Sequence, residues 1–225
     1  MKARLGRRWL LGRGSAGFVL LLGTPALAQG QGQGQPQRPI RLLILGDSIT
    51  AAYGLARNEG LPARLEAALK AKGRQVTVID AGVSGDTTAG GRARLEWALA
   101  EKPDAVIVAL GGNDGLRGAE PRNTQANLKA ILDTLKARNL PAMLAGMLAP
   151  PNLGADYGRE FAGVFQALSR EYADVVFYPF LLDGVAGEAA LNQPDRIHPN
   201  PQGVEEMVRR MTPTVETLLD KVRLA

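Results

Sequence analysis

Ser48 in LGDSIT and His198 in DRIHPN are the two residues of this chain from which a nucleophilic reaction could start. A serine hydroxyl is a poor nucleophile until a neighbouring base removes its proton. His198 is the only histidine among the 225 residues, and imidazole is the side chain whose ordinary pKa lies near neutrality. Asp195 precedes it by three residues. One turn can close that spacing, so its carboxylate can fix the imidazole tautomer and steady the protonated ring. Acyl transfer also needs donors aimed at the oxygen on which charge develops. Three are available: the backbone N–H of Ser48, the N–H of Gly85 in VSGDT, where glycine lets the chain come close, and the side-chain amide of Asn113 in GGND, behind a tight turn at Gly111 and Gly112.

Taken singly, each feature has an ordinary explanation. Ser48 or Asp47 serves equally well as a helix cap. Gly85 and Asn113 are common turn residues, and an aspartate three residues before a histidine recurs by chance. What gives them weight is where they fall.

Short apolar runs alternate with helix-period stretches. Runs begin near residues 40, 76, 105, 142 and 175. Helical spacing covers 61–73, 92–102, 124–139 (with Thr124 as its cap), 159–172 and the C-terminal segment, which Pro213 is expected to kink or divide. Unbroken apolar strands alternating with helices imply an α/β fold, a five-stranded parallel sheet covered on both faces. In such sheets the functional loops gather at the carboxyl ends of the strands. GDS follows the first run, GVSGD the second and GGND the third, while DRIHPN lies between the fifth and the last helix. The candidate hydroxyl, with its N–H at a helix start, and the donors and base therefore share one edge.

The N-terminus reads as an export signal. Lys2, Arg4, Arg7, Arg8 and Arg13 precede the apolar run 16–22, and Ala26-Leu27-Ala28 has the small-x-small spacing of a cleavage site. Arg7-Arg8 also fits a twin-arginine signal, so either export route is open, to the periplasm or beyond. Residues 29–39 are Gly/Gln-rich and read as a tether, leaving 40–225 as one domain. The chain has 27 Lys and Arg against 22 Asp and Glu, a net charge of +5. The five basic residues of the signal account for all of it, so a nucleic-acid partner loses its support. The apolar run is too short to span a bilayer, and no membrane span is expected after cleavage. Cysteine is absent. With a single histidine as well, neither a metal site nor another cofactor is expected.

GDS at 46–48, Gly85 in GVSGDTT, GGND at 111–114 and DRIHPN at 195–200 together resemble the SGNH hydrolases, also called GDSL lipases or esterases. The stretch ALGGNDGLRGAEPRNTQANL resembles the branch of secreted arylesterases and multifunctional thioesterase I/lysophospholipases. The resemblance implies a flavodoxin-like three-layer α/β/α sandwich. It implies Ser48 as nucleophile, His198 as base, Asp195 as its orienter, and Ser48, Gly85 and Asn113 as the oxyanion hole. Asp47 and Asp114 are assigned to loop hydrogen bonds. The implied activity is hydrolysis of small-molecule carboxylic esters, with thioesters and lipids as further candidates. A monomer is expected.

Leu116 in GLRGAEP and Leu148 and Pro150 in LAPPNLGADYG are expected to wall the acyl pocket. Two rival readings remain at this stage. One is a carbohydrate O-deacetylase of the same family, disfavoured by few aromatic residues. The other is a non-catalytic exported binding protein, which would have no need of His198.

Overall fold

A computed structural model describes residues 38–223. The expected export signal, 1–28, and the tether as far as residue 37 lie outside the described residues. The chain runs β1 (Ile40–Gly46), α1 (Leu61–Ala71), β2 (Val76–Gly82), α2 (Thr88–Ala93), α3 (Leu95–Leu99), β3 (Ala105–Ala109), α4 (Gly112–Leu116), α5 (Pro121–Ala137), β4 (Ala142–Ala145), α6 (Ala155–Glu171), β5 (Val176–Tyr178) and α7 (Pro201–Leu219). The strands form one sheet in the order β2-β1-β3-β4-β5, every neighbouring pair parallel. This is the flavodoxin-like order.

The strand order decides where the helices lie. The chain moves from β1 to β2 in one direction and then from β3 through β4 to β5 in the other. Right-handed crossovers therefore place α1 on one face and α5 and α6 on the opposite one. α1 packs on α7, and α5 packs on both α2 and α6, giving three layers. β1 and β3 are central: Leu42, Leu43, Ile44, Leu45 and all of Ala105–Ala109 are buried between the layers. β2 is an edge strand, and Thr77 and Asp80 are exposed in it. The chain reverses direction between β1 and β3, and ligand crevices open beyond the strand ends at such a switch point.

Four local readings need correction. The helix expected over 92–102 is two helices, broken at Arg94 (φ −101°, ψ 5°), whose side chain turns toward the sheet end. α5 begins at Pro121, which suits the first helical turn because its missing N–H is not needed there. Thr124 is consequently a buried interior residue bonded to Asp114, and not a cap. α7 passes Pro213 undivided. Ser48 does not open a helix; residues 48–54 form turns, and α1 starts only at Leu61.

Candidate active site

β1 ends at Gly46, and the chain turns at once. Asp47 O accepts from Ala51 N (3.0 Å) and Ser48 O from Tyr53 N (3.1 Å). A Cβ at Gly46 would lie 2.3 Å from Thr50 Oγ1, so only glycine admits so tight an exit. Asp47 Oδ1 accepts from Ile49 N at 3.0 Å, an Asx turn that fixes the Ser48 backbone. Asp47 is buried, and burial pushes its carboxyl up to about 6 against the lowering effect of the Ile49 N–H.

DRIHPN lies between β5 and α7. Asp195 Oδ1 accepts from Ile197 N (2.9 Å) and His198 N (3.0 Å), while Asp195 Oδ2 lies 2.7 Å from His198 Nδ1. Partial burial alone would raise the Asp195 carboxyl. The His198 N–H and imidazole and the Ile197 N–H outweigh it and hold the group at about 2. Arg196 adopts φ +59° in the middle of this turn. Asn200 then caps α7, accepting from Gly203 N at 3.0 Å, and Pro201 occupies the first helical turn. One six-residue stretch thus shapes a carboxylate–imidazole unit and starts a helix.

The far nitrogen of that imidazole reaches the other loop. His198 Nε2 lies 2.8 Å from Ser48 Oγ across 150 positions of sequence. Serine, histidine and aspartate form one hydrogen-bonded line, in which the carboxylate can hold Nδ1–H and leave Nε2 free to accept the serine proton.

The donors converge from β2 and β3. Gly85 has φ +82°, a left-handed conformation in which other side chains are strained. Neither Ser48 N–H nor Gly85 N–H donates to a protein acceptor among the described residues. Gly111 also turns left-handed (φ +116°), and a Cβ there would meet Phe165 at 2.9 Å. Asn113 follows in the first turn of α4. Its amide donates to Asp86 O at 2.9 Å and reaches Asp47 Oδ2 at 3.5 Å, so its orientation is fixed beforehand. Asp114 accepts from Thr88 N (2.8 Å), Thr88 Oγ1 (2.5 Å) and Thr124 Oγ1 (3.2 Å), tying α4 to α2 and α5. Asp47 thus makes the loop hydrogen bond expected of it, whereas Asp114 bonds from helix to helix.

A cavity of about 590 Å³ opens beside Ser48 and Asn113. Leu116, Leu148 and Pro150 line it, as do Met147, Pro151, Phe180, Leu182, Ala186, Arg196 and Ile197. The residues contributed by 180–187 were missed in the sequence. They follow the fifth strand, so the rule that placed the other loops covers them too. Arg94 was also missed. Its guanidinium reaches Asp86 Oδ2 (2.6 Å), Ala81 O (2.7 Å) and Gly46 O (2.8 Å). No sequence signal distinguishes it from the neighbouring Arg92. Among the described residues no group of three or more metal-ligating side chains converges.

Comparison with known proteins accords with this geometry. Residues 44–205 match the model of the GDSL-like Lipase/Acylhydrolase family. The chain is 40% identical over 179 residues to Esterase TesA of Pseudomonas aeruginosa, covering 79% of this chain and 89% of that protein. It is 37% identical over 179 residues to Thioesterase 1/protease 1/lysophospholipase L1 of Escherichia coli K12, covering 77% and 84% respectively. The crystal structure of AlinE4, an SGNH-hydrolase family esterase, superposes with a TM-score of 0.69 at 44% identity over 82% of this chain and 99% of that one.

Proposed function

The chain belongs to the GDSL-like lipase/acylhydrolase family and is a hydrolase of ester bonds, and on that premise we propose that it works through an acyl-enzyme formed on Ser48. His198 Nε2 takes the Ser48 proton as Oγ attacks the carbonyl carbon, and Asp195 holds the imidazolium. The carbonyl electrons move onto oxygen, which is received by Ser48 N–H, Gly85 N–H and the Asn113 amide. These donors are set in place before the reaction, so their stabilisation costs no reorganisation. The tetrahedral intermediate collapses, His198 returns its proton to the leaving oxygen or sulfur, and the acyl group stays on Ser48. Water, deprotonated by the same imidazole, then releases the carboxylic acid.

The observation that carries this reading is the 2.8 Å approach of His198 Nε2 to Ser48 Oγ, with the imidazole's other nitrogen held by Asp195. A large apolar cavity beside the serine suits an acyl chain longer than acetyl. This favours ester and thioester acyl hydrolysis over carbohydrate deacetylation, and makes Leu116, Leu148 and Pro150 acyl contacts. Ser48→Ala is expected to reduce p-nitrophenyl acetate hydrolysis to background; activity retained in that variant would refute the assignment.

We further propose export, as a monomer, through the signal at 1–28. Mass spectrometry of the exported protein should find Gln29 at its N-terminus. No helix among the described residues is long and apolar enough to cross a membrane.

A further inference from the structure

Tyr53 lies against the imidazole of His198, ring centroids 4.5 Å apart and planes tilted by 35°. Tyr53 is 52% exposed, so part of its ring is open to a ligand. It does not line the cavity beside Ser48 and Asn113. The turn that carries it is built at a cost. Ala52 has φ +56° and Gly54 φ +73°, so left-handed residues flank Tyr53 on both sides. For a residue with a Cβ such a conformation is unfavourable, and it persists only where the surroundings enforce it. They do so here from two directions. Tyr53 N donates to Ser48 O at 3.1 Å. Gln193 Nε2 donates to Tyr53 O (2.7 Å) and to Pro199 O (3.0 Å), joining the serine loop to the histidine loop. Glycine suits position 54 because its φ of +73° strains any residue with a Cβ, which would also displace the Gln193 amide.

The chemistry of an acyl-enzyme assigns the exposed face. Four groups surround the carbon in the tetrahedral intermediate. Ser48 Oγ is one, the oxyanion facing Ser48 N, Gly85 N and Asn113 is the second, and the acyl chain in the cavity is the third. The leaving group takes the remaining direction. His198 Nε2 must protonate it, so it passes beside the imidazole, where Tyr53 stands. We propose that Tyr53 is a specificity-determining residue, the platform on which a flat aromatic leaving group stacks as the ester bond breaks. The inference rests on the acyl-serine reading above and deepens it: among esters of one acid, aryl esters gain from Tyr53 and alkyl esters do not. Aromatic pairs contribute beyond the area they bury, and the gain corresponds to about a three- to ten-fold difference in rate.

The test compares kcat/KM for phenyl acetate and ethyl acetate in the wild type, Tyr53→Phe, Tyr53→Leu and Ser48→Ala, with thermal melting recorded for each. The expected result is that Tyr53→Leu lowers the phenyl-to-ethyl ratio by about five-fold while Tyr53→Phe stays within about two-fold of the wild type. An unchanged ratio in Tyr53→Leu, whether both rates fall together or neither falls, overturns the assignment while Ser48→Ala remains inactive. Wild-type rates in Ser48→Ala would overturn the acyl-serine reading and the Tyr53 platform with it.

Discussion

The backbone carbonyl of Asp86 accepts the Asn113 amide at 2.9 Å, so the loop after β2 sets the direction of a side chain carried by α4 after β3. The Asp86 carboxylate is gripped in turn by Arg94 at 2.6 Å, and both side chains are largely buried. Since Arg94 also holds Ala81 O and Gly46 O, one guanidinium joins the carboxyl ends of β1 and β2 to the loop that aims Asn113.

Arg94→Met should act on both stability and rate. It leaves a buried carboxylate unpaired, a loss of about 3 kcal/mol by denaturant melting. The loosened Asp86 loop should lower kcat about 10- to 100-fold, the scale expected for misplaced catalytic groups. Because the effect passes through Asn113, combining it with Asn113→Ala should cost less than the product of the two single losses. Multiplicative losses would show that Arg94 acts elsewhere.

Asn113→Ala should leave the fold intact and lower ester turnover about 10²–10³-fold, as removal of one oxyanion donor does. Far-ultraviolet circular dichroism and steady-state kinetics read the two halves of that statement. Unchanged turnover would remove Asn113 from the oxyanion hole.

Asp195→Asn keeps the size of the side chain but replaces the acceptor at His198 Nδ1 with an amide able to select the wrong tautomer. A fall in kcat on the order of 10³–10⁴ is expected, with KM little changed. A loss below ten-fold would mean that another group orients the ring.

Asp47 and Asp195 have opposite effects on stability against pH. Asp47 is raised in the fold to about 6. The stability it permits is present in full below the unfolded carboxylate range and is lost as pH rises through about 6. The loss is on the order of 3 kcal/mol by neutrality. Asp195 is lowered to about 2, so its contribution is present above the unfolded range and lost only as pH falls toward 2. Asp47→Asn cannot ionise. Its melting temperature should therefore gain on the wild type between pH 4 and pH 7.5, and a constant difference across that range would contradict the burial argument.

Ile197 is adjacent to His198, lines the cavity proposed to hold the acyl chain and is 43% exposed. Ile197→Trp should narrow the cavity while leaving Ser48 and His198 in place. On p-nitrophenyl esters of graded length, kcat/KM should hold for butyrate and fall about ten-fold for decanoate, the scale of a lost hydrophobic fit. Parallel loss on both would place the chain elsewhere.

The sheet was legible because β1 and β3 are buried on both faces and read as unbroken apolar runs, and glycines mark where they end. Ser48, Gly85, Asn113, Asp195 and His198 stood out as candidates because each lies between a strand-like run and the next long helix, at the carboxyl edge of the sheet. Side-chain logic without a local pattern was not. Arg94 breaks a helix to brace two strand ends, yet it sits in a stretch whose spacing reads as continuous helix. Pro213 has the opposite lesson: the core packing of Val208, Met211 and Val215 carries α7 through a residue that usually stops a helix. Tyr53 gave no sign in the sequence, since its place over His198 depends on the bond from Gln193 to its carbonyl.

The most direct test of the account is reaction with a fluorophosphonate followed by peptide mass spectrometry. A single adduct on the peptide containing Ser48 is expected, absent from Ser48→Ala and strongly slowed in His198→Ala. An adduct on another serine, or labelling of Ser48→Ala at the wild-type rate, would contradict it.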